Sequence, residues 1–250
     1  MSFPSRLLLC VFLTLSTLAL AGDPIQKAVD HAERSEKDRE RDQREKPAEI
    51  LKFIGVKPGW TVADIFSSAG YYTELLAHVV GPEGKVIAQN NASYKNYGSK
   101  GAALRFTEGR LANVTHLVSE ADDLKLPKDG LDMAIMVNCY HDLYWDNGKP
   151  SWPAIDAKKF LAQLHAAVKP GGLMVVIDHT AKEGSGSSAA QDLHRIEKAY
   201  AEQDFTAAGF TLLKSSDLLR RSGDDHSVNV YDEAIKGKTD RFVLVFQKKS

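Results

Sequence analysis

From residue 61 onward, short apolar runs alternate with longer stretches whose apolar positions recur every three or four residues. The first pattern predicts buried strands and the second amphipathic helices. Strands are predicted over 61–66, 85–90, 114–120, 131–138, 172–179, 210–217 and 241–248, and helices over 71–80, 98–110, 156–168 and 188–208. Gly81-Pro82-Glu83-Gly84 and Lys169-Pro170-Gly171-Gly172 read as sharp turns leading into strands. Alternation of this kind predicts an α/β fold, a mostly parallel sheet with helices on both faces. Ahead of residue 61 the pattern changes. Residues 26–46 are densely charged, with Glu33 and Lys37, Glu40 and Arg44, and Asp42 and Lys46 at favourable i,i+4 spacing. They predict a solvated helix leading into the domain. Pro47-Ala48-Glu49 starts a second helix, whose apolar residues include Ile50, Leu51 and Phe53. The Gly/Ser patch at 184–188 predicts a mobile loop.

The first 21 residues stand apart. Arg6 precedes an apolar run over 7–21 that ends Ala19-Leu20-Ala21. A run of about 15 residues falls short of the ~20 that a membrane span needs, and its small-x-small end predicts a signal peptide cleaved after Ala21. The expected organisation is a signal peptide over 1–21, a charged helical segment over 22–47 and a catalytic-type domain over 48–250. The expected location is periplasmic or secreted, with no stable membrane insertion after cleavage. Cleavage removes Cys10 and leaves Cys139 alone, so no internal disulfide can form and the core must supply the stability. A chain that is 43% hydrophobic can build that core. With 32 basic and 33 acidic residues, general electrostatics argues against a nucleic-acid partner.

In a parallel sheet, ligands sit beyond the carboxyl ends of the strands. The residues placed there are Asp64 with the turn over 66–70, Gln89-Asn90, Glu120-Ala121-Asp122, the segment 138–142, and Asp178-His179. Five polar ends converging from one sheet predict a binding crevice for a small molecule. The first strand, tight turn and following helix have the layout of a nucleotide-binding βα unit, in which helix N–H groups face the ligand.

Further runs carry a family resemblance. They are Lys46-Pro47-Ala48-Glu49, Val56-Lys57-Pro58-Gly59, Asp64 with Gly70-Tyr71-Tyr72-Thr73-Glu74, Gly81-Pro82-Glu83-Gly84-Lys85 and Lys169-Pro170-Gly171-Gly172. Later come Asp178-His179, Leu193-His194-Arg195, Ala208-Gly209-Phe210, Asp224-Asp225-His226 and Gly237-Lys238-Thr239-Asp240-Arg241-Phe242. With these the chain resembles the class I S-adenosylmethionine-dependent methyltransferases, and more closely a bacterial family of predicted methyltransferases that often carry export signals. The resemblance implies a Rossmann-like seven-stranded sheet with the last strand antiparallel, and S-adenosyl-L-methionine as cofactor. It implies that Asp64 and the turn to Gly70 hold the methionine part. It places Gln89 and Asn90 at the ribose hydroxyls, Glu120 and Ala121 at the adenine edge, and Asn138 where backbone approaches the cofactor. The chain departs from the pattern twice. Phe66 and Ser68 stand where glycines are usual, and an amide replaces the ribose carboxylate. Both departures predict a looser grip on the cofactor.

Methyl transfer is an in-line displacement governed by positioning, with a base needed when the acceptor carries a proton. His141 beside Asp142 and His179 beside Asp178 are the candidate catalytic groups. Tyr140, Trp145, His194, Arg195, Asp225 and His226 are candidate acceptor-binding residues. The loop over 220–240 is too long for a simple connection, and with Tyr140, Tyr144, Trp145 and Trp152 it reads as a lid. Asp142, Asp178, His179 and His226 are acceptable metal ligands, but no His-x-x-x-His or Cys-x-x-Cys spacing is present, and no metal is expected. The function expected is therefore methyl transfer to a small molecule. The alternative is an exported, non-enzymatic or metal-assisted ligand-binding protein on the same fold.

Overall fold

Seven strands form one sheet: β1 (Thr61–Ile65), β2 (Lys85–Asn90), β3 (Val114–Val118), β4 (Leu131–Val137), β5 (Val168–His179), β6 (Phe210–Ser216) and β7 (Arg241–Lys248). Their order is β3-β2-β1-β4-β5-β7-β6. β1 pairs in parallel with β2 on one side and β4 on the other, and β7 runs antiparallel to both β5 and β6. The computed structural model describes residues 22–249, so the expected signal peptide lies outside the described residues. Among the described residues, no helix is long and apolar enough to cross a membrane.

The central strands are apolar on both sides because helices cover both faces. Along β4, Ala134 and Met136 enter one core with Ile65, Phe160, Leu164 and Phe205. Met133 and Ile135 enter the other, with Ile50, Leu51, Leu75 and Val245. The order in which strands are added reverses at β1: β2 lies to one side and β4 to the other. A crevice therefore opens beyond the carboxyl ends of β1 and β4.

The helices are α1 (Pro24–Val29), α2 (Glu36–Glu45), α3 (Pro47–Ile54), α4 (Tyr71–Val80), α5 (Ala92–Arg105), α6 (Ala157–Ala167), α7 (Ala189–Leu193) and α8 (Lys198–Ala207). Three differ from the sequence expectation. α5 begins six residues earlier than expected, because the Asn91 side chain accepts from the Tyr94 N–H at 2.9 Å and caps it. The helix expected over 188–208 is broken at His194, whose φ of 51° is left-handed, and Ile196 then bridges to Thr180. The charged segment is two helices rather than one solvated helix. The three expected i,i+4 ion pairs are absent among the described residues. Arg34 instead pairs with Asp42 at 2.6 Å, and the buried Glu45 reaches Arg241 across the domain at 2.5 Å. Asp38 pairs with Arg105 on α5. Buried ion pairs and the apolar contacts of Ile25 and Ala28 thus dock this segment on the sheet domain.

α5 lies directly on the turn that follows β1. A Cβ added at Gly98 would stand 2.4 Å from the Ser68 carbonyl carbon, and one at Gly101 would stand 2.7 Å from Ala69 Cβ. At Gly98 helix and turn meet backbone to backbone, and at Gly101 the Ala69 methyl fills the space a side chain would need, so both positions call for glycine.

Candidate active site

The β1–α4 turn keeps its shape without its glycines. Phe66 and Ser68 adopt φ values of 52° and 53°, the left-handed region that glycine enters freely, and Gly70 follows at 80°. Each non-glycine residue held there costs on the order of 1 kcal/mol. The surrounding structure supplies the constraint. Gln89 Oε1 accepts from Phe66 N at 3.3 Å, and Asn90 Oδ1 accepts from Ser68 N at 2.8 Å. Asn90 Nδ2 donates to Ser67 Oγ, and Gln89 Nε2 donates to the Ser119 carbonyl. Phe66 is buried, its ring stacked on Tyr94 at 4.7 Å and packed against Phe160.

This geometry corrects one expectation. Gln89 is fully buried, and the amides of both Gln89 and Asn90 are already engaged by the turn and its neighbours, so these residues support the turn rather than face ribose. Glu120 accepts from Ala92 N and is exposed, and the Ala121 carbonyl accepts from Gln163.

Two chambers open side by side at this end of the sheet. The first, about 270 Å³, is lined by Asp64, Phe66, Ser68, Gly70, Asn138 and His179, with Arg41 reaching in from α2. Asn138 has a left-handed φ of 55°, and its Oδ1 is buried without a partner. Asp64 accepts from Thr73 Oγ1 at 2.6 Å. Burial raises the Asp64 pKa to about 6, against the lowering effect of that bond. Arg41 lies over the Tyr71 ring at 4.0 Å. The second chamber, about 230 Å³, is aromatic, with Trp145, Trp152, His194 and Asp142 in its wall. Tyr94, Tyr97 and Tyr231 line both chambers and form the partition between them. A larger hollow of about 1080 Å³ lies elsewhere, beside Lys85 and Thr115 at the starting ends of β2 and β3, away from the strand ends where such sheets bind ligands.

Behind the partition, β4 runs into a 3₁₀ turn over His141–Tyr144. This turn brings three of the four expected catalytic residues together. Asp178 is fully buried and accepts from His141 Nδ1 at 2.8 Å, from His141 N at 2.8 Å and from His179 N at 2.7 Å. Burial pushes the His141 pKa down, but the Asp178 and Asp142 carboxylates outweigh it and raise it to about 9. Asp142 Oδ1 lies 3.3 Å from His141 Nε2 and 3.6 Å from His194 Nδ1, and its other oxygen accepts from the Tyr94 hydroxyl. His179 faces the first chamber instead, its Nδ1 paired with Thr239 Oγ1 at 2.8 Å, and burial holds its pKa well below 6.5.

Of the expected acceptor-binding residues, Trp145 and His194 reach the aromatic chamber. The other four do not. Tyr140 is buried in the core, its hydroxyl bound to Asp204 on α8 at 2.6 Å. Arg195 is fully buried and chelates Asp224 with two bonds of 2.9 Å, its remaining donors reaching the Thr180 and Val228 carbonyls. Asp225 caps a local turn at Ser227, and His226 pairs with Asp240 at 3.1 Å. The 220–240 loop is thus tied down through Asp224 and His226, and Tyr231 extends from it into both chambers. The 184–188 patch is pinned as well, with the Gly184 and Gly186 N–H groups donating to Glu197. Sequence reasoning missed Tyr94, Tyr97, Tyr231 and Arg41. The tyrosines at 94 and 97 are one helical turn apart just after a good capping asparagine, a signal that the late start expected for α5 concealed.

The strand order and the reversed β7 make a Rossmann-like sheet, a fold shared with solved S-adenosylmethionine-dependent methyltransferases. No protein-family model matches the chain. It is similar to a ubiquinone/menaquinone biosynthesis C-methyltransferase of Marinomonas sp., with 25% identity over 187 residues that cover 74% of this chain and 66% of that protein. A protein of the same name from Teredinibacter turnerae is 27% identical over 145 residues, 58% of this chain and 53% of its own. The match therefore spans just under two thirds of one relative and about half of the other. Among solved structures, an S-adenosylmethionine-dependent methyltransferase from Aquifex aeolicus is 24% identical with a TM-score of 0.59, over 90% of this chain and 98% of that one. The 1,6-didemethyltoxoflavin-N1-methyltransferase of Burkholderia thailandensis, solved with 1,6-didemethyltoxoflavin and S-adenosylhomocysteine, is 18% identical with a TM-score of 0.54, over 88% and 80%.

Proposed function

We propose that this protein is an S-adenosylmethionine-dependent methyltransferase that methylates a small molecule held in the aromatic chamber. One observation carries the reading: a cleft beyond β1 and β4 containing Asp64, Gly70 and Arg41 adjoins a separate aromatic chamber containing Asp142 and His194. Asp64 suits the cofactor's ammonium and Arg41 its carboxylate. The neighbouring chamber offers flat apolar walls for an acceptor and a few polar groups to orient it. The chemistry needs little more than alignment, because the sulfonium is a good leaving group and the methyl passes in line to the acceptor. Asp142 and His194 present oxygen and nitrogen to the acceptor, while Asp178 holds the His141 ring behind them.

Calorimetry on the purified chain is expected to register binding of both S-adenosylmethionine and S-adenosylhomocysteine. An absence of heat for either ligand up to millimolar concentration would overturn the reading and leave the non-enzymatic alternative. We also propose, on the pattern of residues 1–21 alone, that the chain is exported. Amino-terminal sequencing of protein from its own host is expected to begin at Gly22. An intact Met1 in the soluble cytoplasmic fraction would refute export while leaving the catalytic proposal untouched.

A further inference from the structure

Three potential ligands converge where the 3₁₀ turn meets the end of α7. His141, Asp142 and His194 each offer one ligand atom within 4.8 Å of the others, and Asp142 Oδ1 lies close to both His141 Nε2 and His194 Nδ1. Two further observations mark this cluster as more than surface polarity. His141 is only 1% exposed, and its Nε2 has no hydrogen-bond partner, nor has His194 Nδ1. A buried polar atom left unpaired is costly, and proteins usually give it a partner. Asp142 is 8% exposed, yet no lysine or arginine pairs with it among the described residues; its neighbours are Tyr94, His141 and His194.

The surroundings are also those of a metal centre. His141 Nδ1 pairs with Asp178 at 2.8 Å, which fixes the ring plane and turns Nε2 toward Asp142, where an ion would bind by displacing the Nε2 proton. A carboxylate behind the histidine is the usual support for a ligating imidazole. Ligands about 2.1 Å from a tetrahedral ion stand roughly 3.4 Å apart. The two separations from Asp142 Oδ1, 3.3 and 3.6 Å, already match that spacing.

We infer that His141, Asp142 and His194 form a binding site for a divalent transition-metal ion. Two imidazoles and one carboxylate suit zinc and its first-row neighbours rather than magnesium or calcium. Three protein ligands leave a fourth position. Asp142 and His194 both line the aromatic chamber, so that position faces the chamber, where it takes an oxygen donor from the bound molecule. Of the three, only Asp142 was among the candidate ligands read from sequence. His194 lies 52 residues beyond Asp142, and only the left-handed turn that ends α7 at His194 brings its ring beside the 3₁₀ segment.

The inference is independent of methyl transfer, so its test uses metal alone. The purified chain is stripped with chelator and titrated with Zn²⁺ by calorimetry, and with Co²⁺ by its visible absorption. One ion per chain is expected. His194→Gly keeps the left-handed backbone unstrained and is expected to weaken binding by at least about 100-fold with the melting temperature unchanged. Asp178→Asn is expected to weaken it by about 10- to 100-fold through the His141 ring. His226→Ala, outside the cluster, is expected to bind as the unaltered chain does. Failure of the unaltered chain to bind either ion, or equal affinity in His194→Gly, would overturn the inference. Neither result bears on S-adenosylmethionine binding, which the cofactor titration reads separately.

Discussion

Replacing Asp64 with asparagine is expected to stabilise the ligand-free protein near neutral pH and to weaken its hold on S-adenosylmethionine. Burial raises this carboxyl from 3.8 to about 6. The folded state therefore binds the proton more tightly than the unfolded chain does. With a raised carboxyl pKa, the contribution to stability is most favourable below about pH 4, declines as pH climbs to about 6, and stays low above that. A shift of about two units corresponds to about 3 kcal/mol. Urea unfolding of both proteins across this range should give curves that diverge between about pH 4 and 6 and run parallel at higher pH, with Asp64→Asn the more stable. Curves separated by a constant amount throughout would show that Asp64 is not strained by burial. In the same variant, loss of a charged partner for the cofactor's ammonium is expected to reduce affinity about 10- to 100-fold. A residue that costs stability when the cleft is empty, and contributes affinity when it is filled, is what a binding site imposes on a fold.

Arg195→Met is expected to be the most destabilising single change outside the apolar core, at about 3–5 kcal/mol. The guanidinium is fully buried and spans the Asp224 carboxylate and two backbone carbonyls. Removing it strands a buried negative charge that also organises the Asp240 and His226 N–H groups. The double variant Arg195→Met, Asp224→Asn is expected to recover part of the loss, because it removes the charge that the single variant leaves unpaired. The measurement is the urea midpoint of the three variants beside the unaltered chain. An Arg195→Met protein that unfolds normally but no longer binds an acceptor would return this residue to the ligand-binding role its sequence context suggested.

Much of the sheet was legible because parallel strands covered on both faces announce themselves as short apolar runs. Strands 85–90 and 241–248 were expected at their observed limits, and most others ended within one or two residues of theirs. β5 is the exception. It begins at Val168, so the Lys-Pro-Gly-Gly turn is drawn into the strand, with a register shift against β4 between Leu131 and Met133. The site was only partly legible. Asp64 and Asp178 lie at strand ends, and Gly70 and Asp142 in the turns that follow them, where topology alone makes position meaningful. Tyr140, Arg195 and His226 looked equally polar or aromatic in sequence. Whether each faces a ligand or an internal partner depends on Asp204, Asp224 and Asp240, residues between 14 and 64 positions away. Charge spacing misled for the same reason. The pairs read at 33/37, 40/44 and 42/46 do not form, and Glu45, which pairs with Arg41 within its helix, also reaches Arg241 196 positions along the chain.

The wall between the two chambers is built of tyrosine side chains from α5 and the 220–240 loop, and one of these, Tyr94, holds Asp142 while stacking on Phe66. A molecule on either side presses on the same three rings. The two affinities are therefore thermodynamically linked, and by reciprocity whatever factor the first ligand imposes on the second, the second imposes on the first.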